Sequence, residues 1–229
     1  MSEIEKVRNA AEENLKIAAE EMSQAKTIET LAKIEIDQAK AREKLRDIEN
    51  DLAKTKEELA EKTRKLVERK IQLKEKGTLD FLEDVLESDK KEAVYEERMA
   101  EVEVELAEIN KALAEKEVEI AKEKQKLAKE KMDVAKEREK LGKKQLDYVK
   151  ALENLIAKQS EQIAEKIQAA QEKTNKTKQD YLKQEKQVLD EIKDVHKKQK
   201  KIWQIENGLA DLRQKLSEKL SELEKIRIA

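Results

Sequence analysis

The sequence predicts an all-α fold: a long antiparallel coiled-coil hairpin with a short helix at its tip and a third long helix, elongated in shape. Three observations carry this. The 229 residues contain no Pro and only 3 Gly, the two residues that most disfavour a helix interior. Charged residues make up 45% of the chain and aromatics 2%, too polar a composition to enclose a large globular core. Apolar residues nevertheless recur at alternating spacings of three and four, a period that disordered segments have no reason to keep.

The first helix is expected over residues 3 to 76, within a first segment 1–76. Its clearest heptad runs Leu45, Ile48, Leu52, Thr55, Leu59, Lys62, Leu66, Arg69, Leu73. Ile4, Val7, Ala11 and Ala18 begin the spacing upstream, and Leu31 and Ile34 rejoin it. Gly77 then suits a helix C-terminus, since it enters the left-handed region without a Cβ penalty. Thr78 or Asp80 can cap a short apolar helix through Leu86, so residues 77–88 read as the tip.

A second long helix is expected from about Ser88, in a segment 89–170. Its seam runs Met99, Val102, Leu106, Ile109, Leu113, Lys116, Ile120, Glu123, Leu127, Glu130, Val134, Glu137, Leu141, Lys144, Tyr148, Ala151, Leu155. A hairpin register in which paired residue numbers add to about 172 matches Leu73 with Met99, Leu66 with Leu106 and Leu59 with Leu113. That register matches like seam rows, whereas antiparallel pairs layer one row on the other, so a parallel dimer stays open. Residues 171–178 are almost devoid of apolar side chains and read as a turn or frayed joint opening the segment 171–229. Beyond them Val188, Ile192, Val195 and Ile202 restart a stripe, continued by Ile205, Leu209, Leu212 and Leu216 with a phase slip near Ile202.

The chemistry is sparse. One His and no Cys exclude Ser-His-Asp, Cys-His and thiolate-metal sites on a single chain. No Gly-rich phosphate loop occurs, and acid pairs such as Glu115 and Glu119 read as solvated faces with i,i+4 lysine partners. Catalytic, cofactor-binding and metal-binding residues are therefore expected to be none, and no cofactor is expected. Fifty-one basic against 53 acidic side chains gives net −2, which does not favour nucleic acid as a partner.

Two surfaces remain as candidates. The tip residues Leu79, Phe81, Leu82, Val85 and Leu86 form the most apolar stretch and suit partner docking. Residues 173–201 carry ten Lys against five acids, and Lys193, Lys197, Lys198, Lys200, Lys201 and Trp203 are the candidate patch for an anionic surface such as a membrane. A solubilising helix face is the simpler reading of those lysines. Trp203 reads as a packing residue at the phase slip, with a membrane anchor as the alternative.

The order of long helix, Gly77-Thr-Leu-Asp-Phe-Leu-Glu-Asp-Val-Leu-Glu-Ser88, long charged helix resembles the coiled-coil region of bacterial murein-hydrolase activators and peptidoglycan hydrolases of the EnvC, CwlO and PcsB type. Gly77, Phe81, Leu82, Val85 and Leu86 match that family's short apolar turn element. The family's following Ser-Phe-Ser-Asp-Phe-type segment is replaced here by Asp89-Lys-Lys-Glu-Ala-Val-Tyr95, and its catalytic or activator domain has no counterpart. The resemblance implies an extracytoplasmic arm that docks on a membrane-embedded complex through its tip. The opening MSEIEKVRNAAEENLK has no apolar h-region, so without the resemblance the default expectation is the cytoplasm. The functional expectation is a non-catalytic scaffold acting by oligomerisation or partner docking, with the docking arm and the membrane-surface binder as alternatives.

Overall fold

The computed structural model describes residues 2–75, 83–160 and 164–228. They form three helices, α1 (Glu3–Glu75), α2 (Glu83–Ser160) and α3 (Ala164–Ile228), packed antiparallel in sequence order. The start of α1 is a reciprocal cap. The Glu5 amide donates to the Ser2 hydroxyl at 3.2 Å, and the Ser2 amide donates to the Glu5 carboxylate at 2.9 Å.

Two expected boundaries are corrected. The part of the tip helix expected over residues 78–82 lies outside the described residues. From Glu83 onward the chain is already in α2, so no break falls at Ser88. Nothing in residues 83–88 stops a helix, and Leu86 is buried on the same face as the rest of α2. Residues 171–178 form no joint either; they lie well inside α3. Thr174 explains why. It is 5% exposed, and its hydroxyl donates to the carbonyls of Ala151 on α2, at 3.2 Å, and Ala170, at 2.8 Å. A small polar residue thus fills a core position that a hydrophobicity pattern leaves blank.

The helices build two compact units, Met1–Ile34 with Lys122–Trp203, and Glu35–Ala121 with Gln204–Ala229. In the first, α1 meets α2 through Ala11, Ala18, Ala25 and Ala32 on one side and Ala128, Ala135, Gly142 and Val149 on the other, all buried. Small residues repeated every seven allow close approach of two helices. Gly142 marks the limit: a Cβ there would lie 2.8 Å from Leu15 Cγ and 3.0 Å from the Ala11 carbonyl oxygen. In the second unit Ala39, Ala53, Ala60 and Val67 of α1 are buried, as are Ala93, Ala100, Ala107, Ala114 and Ala121 of α2.

Cross-helix pairs fix the α1–α2 register. Asn14 donates to Gln145 at 2.9 Å and Arg138 pairs with Glu21 at 3.0 Å in the first unit. Arg42 with Glu117, Lys111 with Asp47, Lys56 with Glu103 and Arg64 with Glu97 do so in the second. Their residue numbers add to 158–161, so the expected register near 172 is corrected. The cause is the choice of face. The leucine heptad looked like the seam because leucine is the stronger hydrophobe. The alanine rows pack instead, because both helices carry them in matching phase.

The seam expected for α2 is indeed buried or half-buried, from Met99 to Leu155, but it faces α3. Gln184 of α3 donates to the Glu137 carbonyl at 3.4 Å, and Lys201 pairs with Glu123 at 2.9 Å. In the second unit Val102 and Leu106 form one hydrophobic cluster with Leu223 and Ile226, flanked by Met99 and Leu216. The phase slip expected near Ile202 is absent. Val188, Val195, Ile202, Leu209 and Leu223 keep a single period of seven, and Ile205 and Ile226 lie on the companion row. Charged Glu191 and Lys198 occupy that companion row upstream and are half-buried, which hid its continuity from a hydrophobic reading.

Candidate interaction surface

Packing through alanine turns the leucine row of α1 out of the α1–α2 seam: Leu52 and Leu59 each precede a buried alanine by one residue, about 100° of helix rotation. Leu45, Ile48, Leu52, Leu59 and Leu66 are 59, 65, 56, 64 and 58% exposed. All five lie in the second unit. Leu73 is exposed as well, and in the first unit so are Leu31 and Ile34. Single exposed leucines are ordinary on soluble proteins, whereas a heptad row of them on one helix marks a contact surface.

A shallow groove of about 610 Å³ continues this surface between α1 and α2. Leu59, Ala60, Tyr95 and Met99 line it, and the Lys56–Glu103 ion pair, at 2.9 Å, closes one rim. Charge along the outward face is uneven. Glu49, Asp51 and Glu58 flank the upstream leucines together with Lys44 and Lys56, and Lys62, Lys65, Arg69 and Lys70 flank the downstream ones. Some of these already hold intramolecular partners, such as Lys65 with Glu61 and Glu49 with Arg46.

The surfaces expected from the sequence fare differently. Leu79, Phe81 and Leu82 lie outside the described residues. Val85 is 49% exposed, while Leu86 is buried in α2 and offers no docking face. In the lysine patch, Lys193 pairs with Asp190 at 2.8 Å and Lys197 with Asp194 at 2.7 Å. Lys198 pairs with Glu130 at 3.6 Å and Lys201 with Glu123. Carboxylates therefore offset much of the patch's charge, and Lys200 is exposed beside it. Trp203 is 60% exposed, which corrects the expectation of a packing residue. With no slip at Ile202, there is no gap for the indole to fill.

Inside the bundle the polar groups are mostly mutual partners. Glu123 has a side chain only 5% exposed, and hydrogen bonds from Lys126 and Lys201 hold its carboxyl below the usual carboxylate range against the opposing effect of burial. Lys140 and Gln184 do the same for Glu137. Tyr148 packs on Tyr181 with ring centroids 5.3 Å apart, and its hydroxyl donates to Glu3 at 3.2 Å. Burial, then the Glu3 carboxylate, push the Tyr148 phenol up to about 12. A cavity of about 300 Å³ in the first unit is lined by Ala25, Ile28, Val134 and Val195 together with the paired Glu21 and Arg138. Among the described residues no group of three or more His, Cys, Asp or Glu side chains converges, and no helix is long and apolar enough to cross a membrane.

Comparison of the chain with protein-family models and with curated proteins gives no match.

Proposed function

We propose that the protein is a non-catalytic coiled-coil scaffold that works through contacts on its helix surfaces, by self-association or by docking a protein partner. The exposed leucine heptad of α1 supports this most directly, because it is a second coiled-coil seam that the chain's own helices leave uncovered. Its exposure is costly in water, and a partner helix would relieve that cost. The pairing of Lys193, Lys197, Lys198 and Lys201 with carboxylates weighs against the membrane-surface alternative. Sedimentation velocity on the full chain, alone and after purification from its native cells, tests the reading. Stable self-association or a stoichiometric protein partner is the expected result. A strictly monomeric protein with neither would refute it.

A further inference from the structure

We propose that the occupant of the leucine row is the same row of a second copy, laid antiparallel to the first. This rests on the scaffold reading and names its partner. The row is self-complementary as a two-fold interface requires. Half-exposed leucine side chains offer on the order of 100 Å² each, so the five per copy supply about 1,000 Å² across a pair, the lower bound for a specific contact.

The charges choose the direction. In an antiparallel alignment that sets Leu59 beside Lys62 of the second copy, Leu66 lies beside its Thr55 and Leu52 beside its Arg69. Glu58 then faces Lys65 of the second copy, and Glu49 faces its Lys70, each pair occurring twice by symmetry. The stems of Lys62 and Arg69 cover leucine while their charged ends reach water. A parallel, in-register alignment would instead stack Lys62 on Lys62 and Arg69 on Arg69 within the seam and set Lys65 against Lys70. Like charges at such positions disfavour pairing. The two favourable flanking pairs of the parallel alignment, Lys44 with Glu49 and Asp51 with Lys56, lie outside the seam where such pairs contribute little. The flanking charge is weakly acidic upstream, where Lys44 and Lys56 offset part of Glu49, Asp51 and Glu58, and basic downstream, and together with the like charges a parallel seam would stack it fits an inverted copy.

The chain has no cysteine, so a single introduced one reports alone. The full-length K44C variant is spin-labelled and the label-to-label distance measured by pulsed electron resonance, alongside mass by sedimentation equilibrium. The antiparallel pair predicts dimer mass and a distance of about 50 Å, from a 1.5 Å rise per residue. In the unlabelled background, L59E with L66E should weaken dimerisation at least tenfold with helix content unchanged, since both side chains already face solvent. E58K and K65E should each weaken it, and the double variant should restore it. A dimer with labels under about 20 Å apart would overturn the antiparallel arrangement while leaving the scaffold reading intact. A dimer indifferent to L59E with L66E would place the interface elsewhere and overturn the proposal. A monomer at hundreds of micromolar would also overturn it, and the scaffold reading would then stand or fall on a heterologous partner.

Discussion

Two glycines, each inside a long helix, have opposite roles. At Gly208 an added Cβ meets nothing within 4 Å, so Gly208→Ala should gain most of the intrinsic helix preference, about 0.5–1 kcal/mol. At Gly142 the same methyl group would press on Leu15 and on the Ala11 carbonyl oxygen. Overpacking of about 1–3 kcal/mol outweighs the propensity gain there, and Gly142→Ala should lower stability. Urea unfolding followed by circular dichroism reads both signs. Tyr148 offers a second test. Its phenol is raised in the folded state from 10.0 to about 12, so the folded protein holds that proton more tightly than the unfolded chain. The associated stability is complete below pH 10 and declines as pH climbs through about 12. Ultraviolet titration should show a late phenolate component that Tyr148→Phe diminishes, the remainder coming from Tyr181, whose phenol burial also raises. The sequence placed Tyr148 on the seam, but its partners Glu3 and Tyr181 are 145 and 33 positions away and no local spacing signals them.

At the scale of the helix, α1 carries two rows, one of alanine and one of leucine, and the weaker hydrophobe faces α2. A buried methyl group contributes only about 0.8 kcal/mol, but the alanine row repeats along both helices and lets them approach closely. Enlarging that row should therefore be costly. Ala128→Leu or Ala135→Leu, both at 0% exposure, should destabilise by about 1–3 kcal/mol. Leu59→Ala, at 64% exposure, should change the stability of the monomeric fold by no more than about 0.5 kcal/mol. If the leucine row were instead the seam with α2, the order of these effects would reverse. The α2–α3 seam was legible as a buried row because its apolar residues are large. What it packs against was not legible, since leucines on α1 and a stripe on α3 both offered a suitable phase.

At the scale of the whole molecule, charged residues make up 45% of the chain, and many of them form ion pairs at helix surfaces, such as Lys136 with Asp133 and Arg42 with Glu117. Exposed pairs of this kind contribute about 0–1 kcal/mol each, so they tune register more than they hold the fold. Self-association through the leucine row should be driven by apolar burial and oriented by flanking charge. Raising salt from about 0.05 to 0.5 M should then weaken the wild-type dimer by less than roughly tenfold, while E58K, with its repulsive pair, should gain from the same screening. Sedimentation equilibrium across that range checks both responses.

Composition and period alone determined the helical class, the three long helices and the buried face of α2, because each of these follows from local preference and from repeats within one segment, whereas the antiparallel order, for which a parallel dimer stood as the alternative, came with the tertiary structure. Only the tertiary structure decided which row of α1 is inside, which helix lies against the α2 seam and where residues 171–178 belong. Those outcomes depend on matching two surfaces, and a chain with several heptad rows admits more than one match. Close approach of the alanine rows, visible at Gly142, favours the packing that leaves leucine outside, and thereby creates the surface on which the proposed function rests.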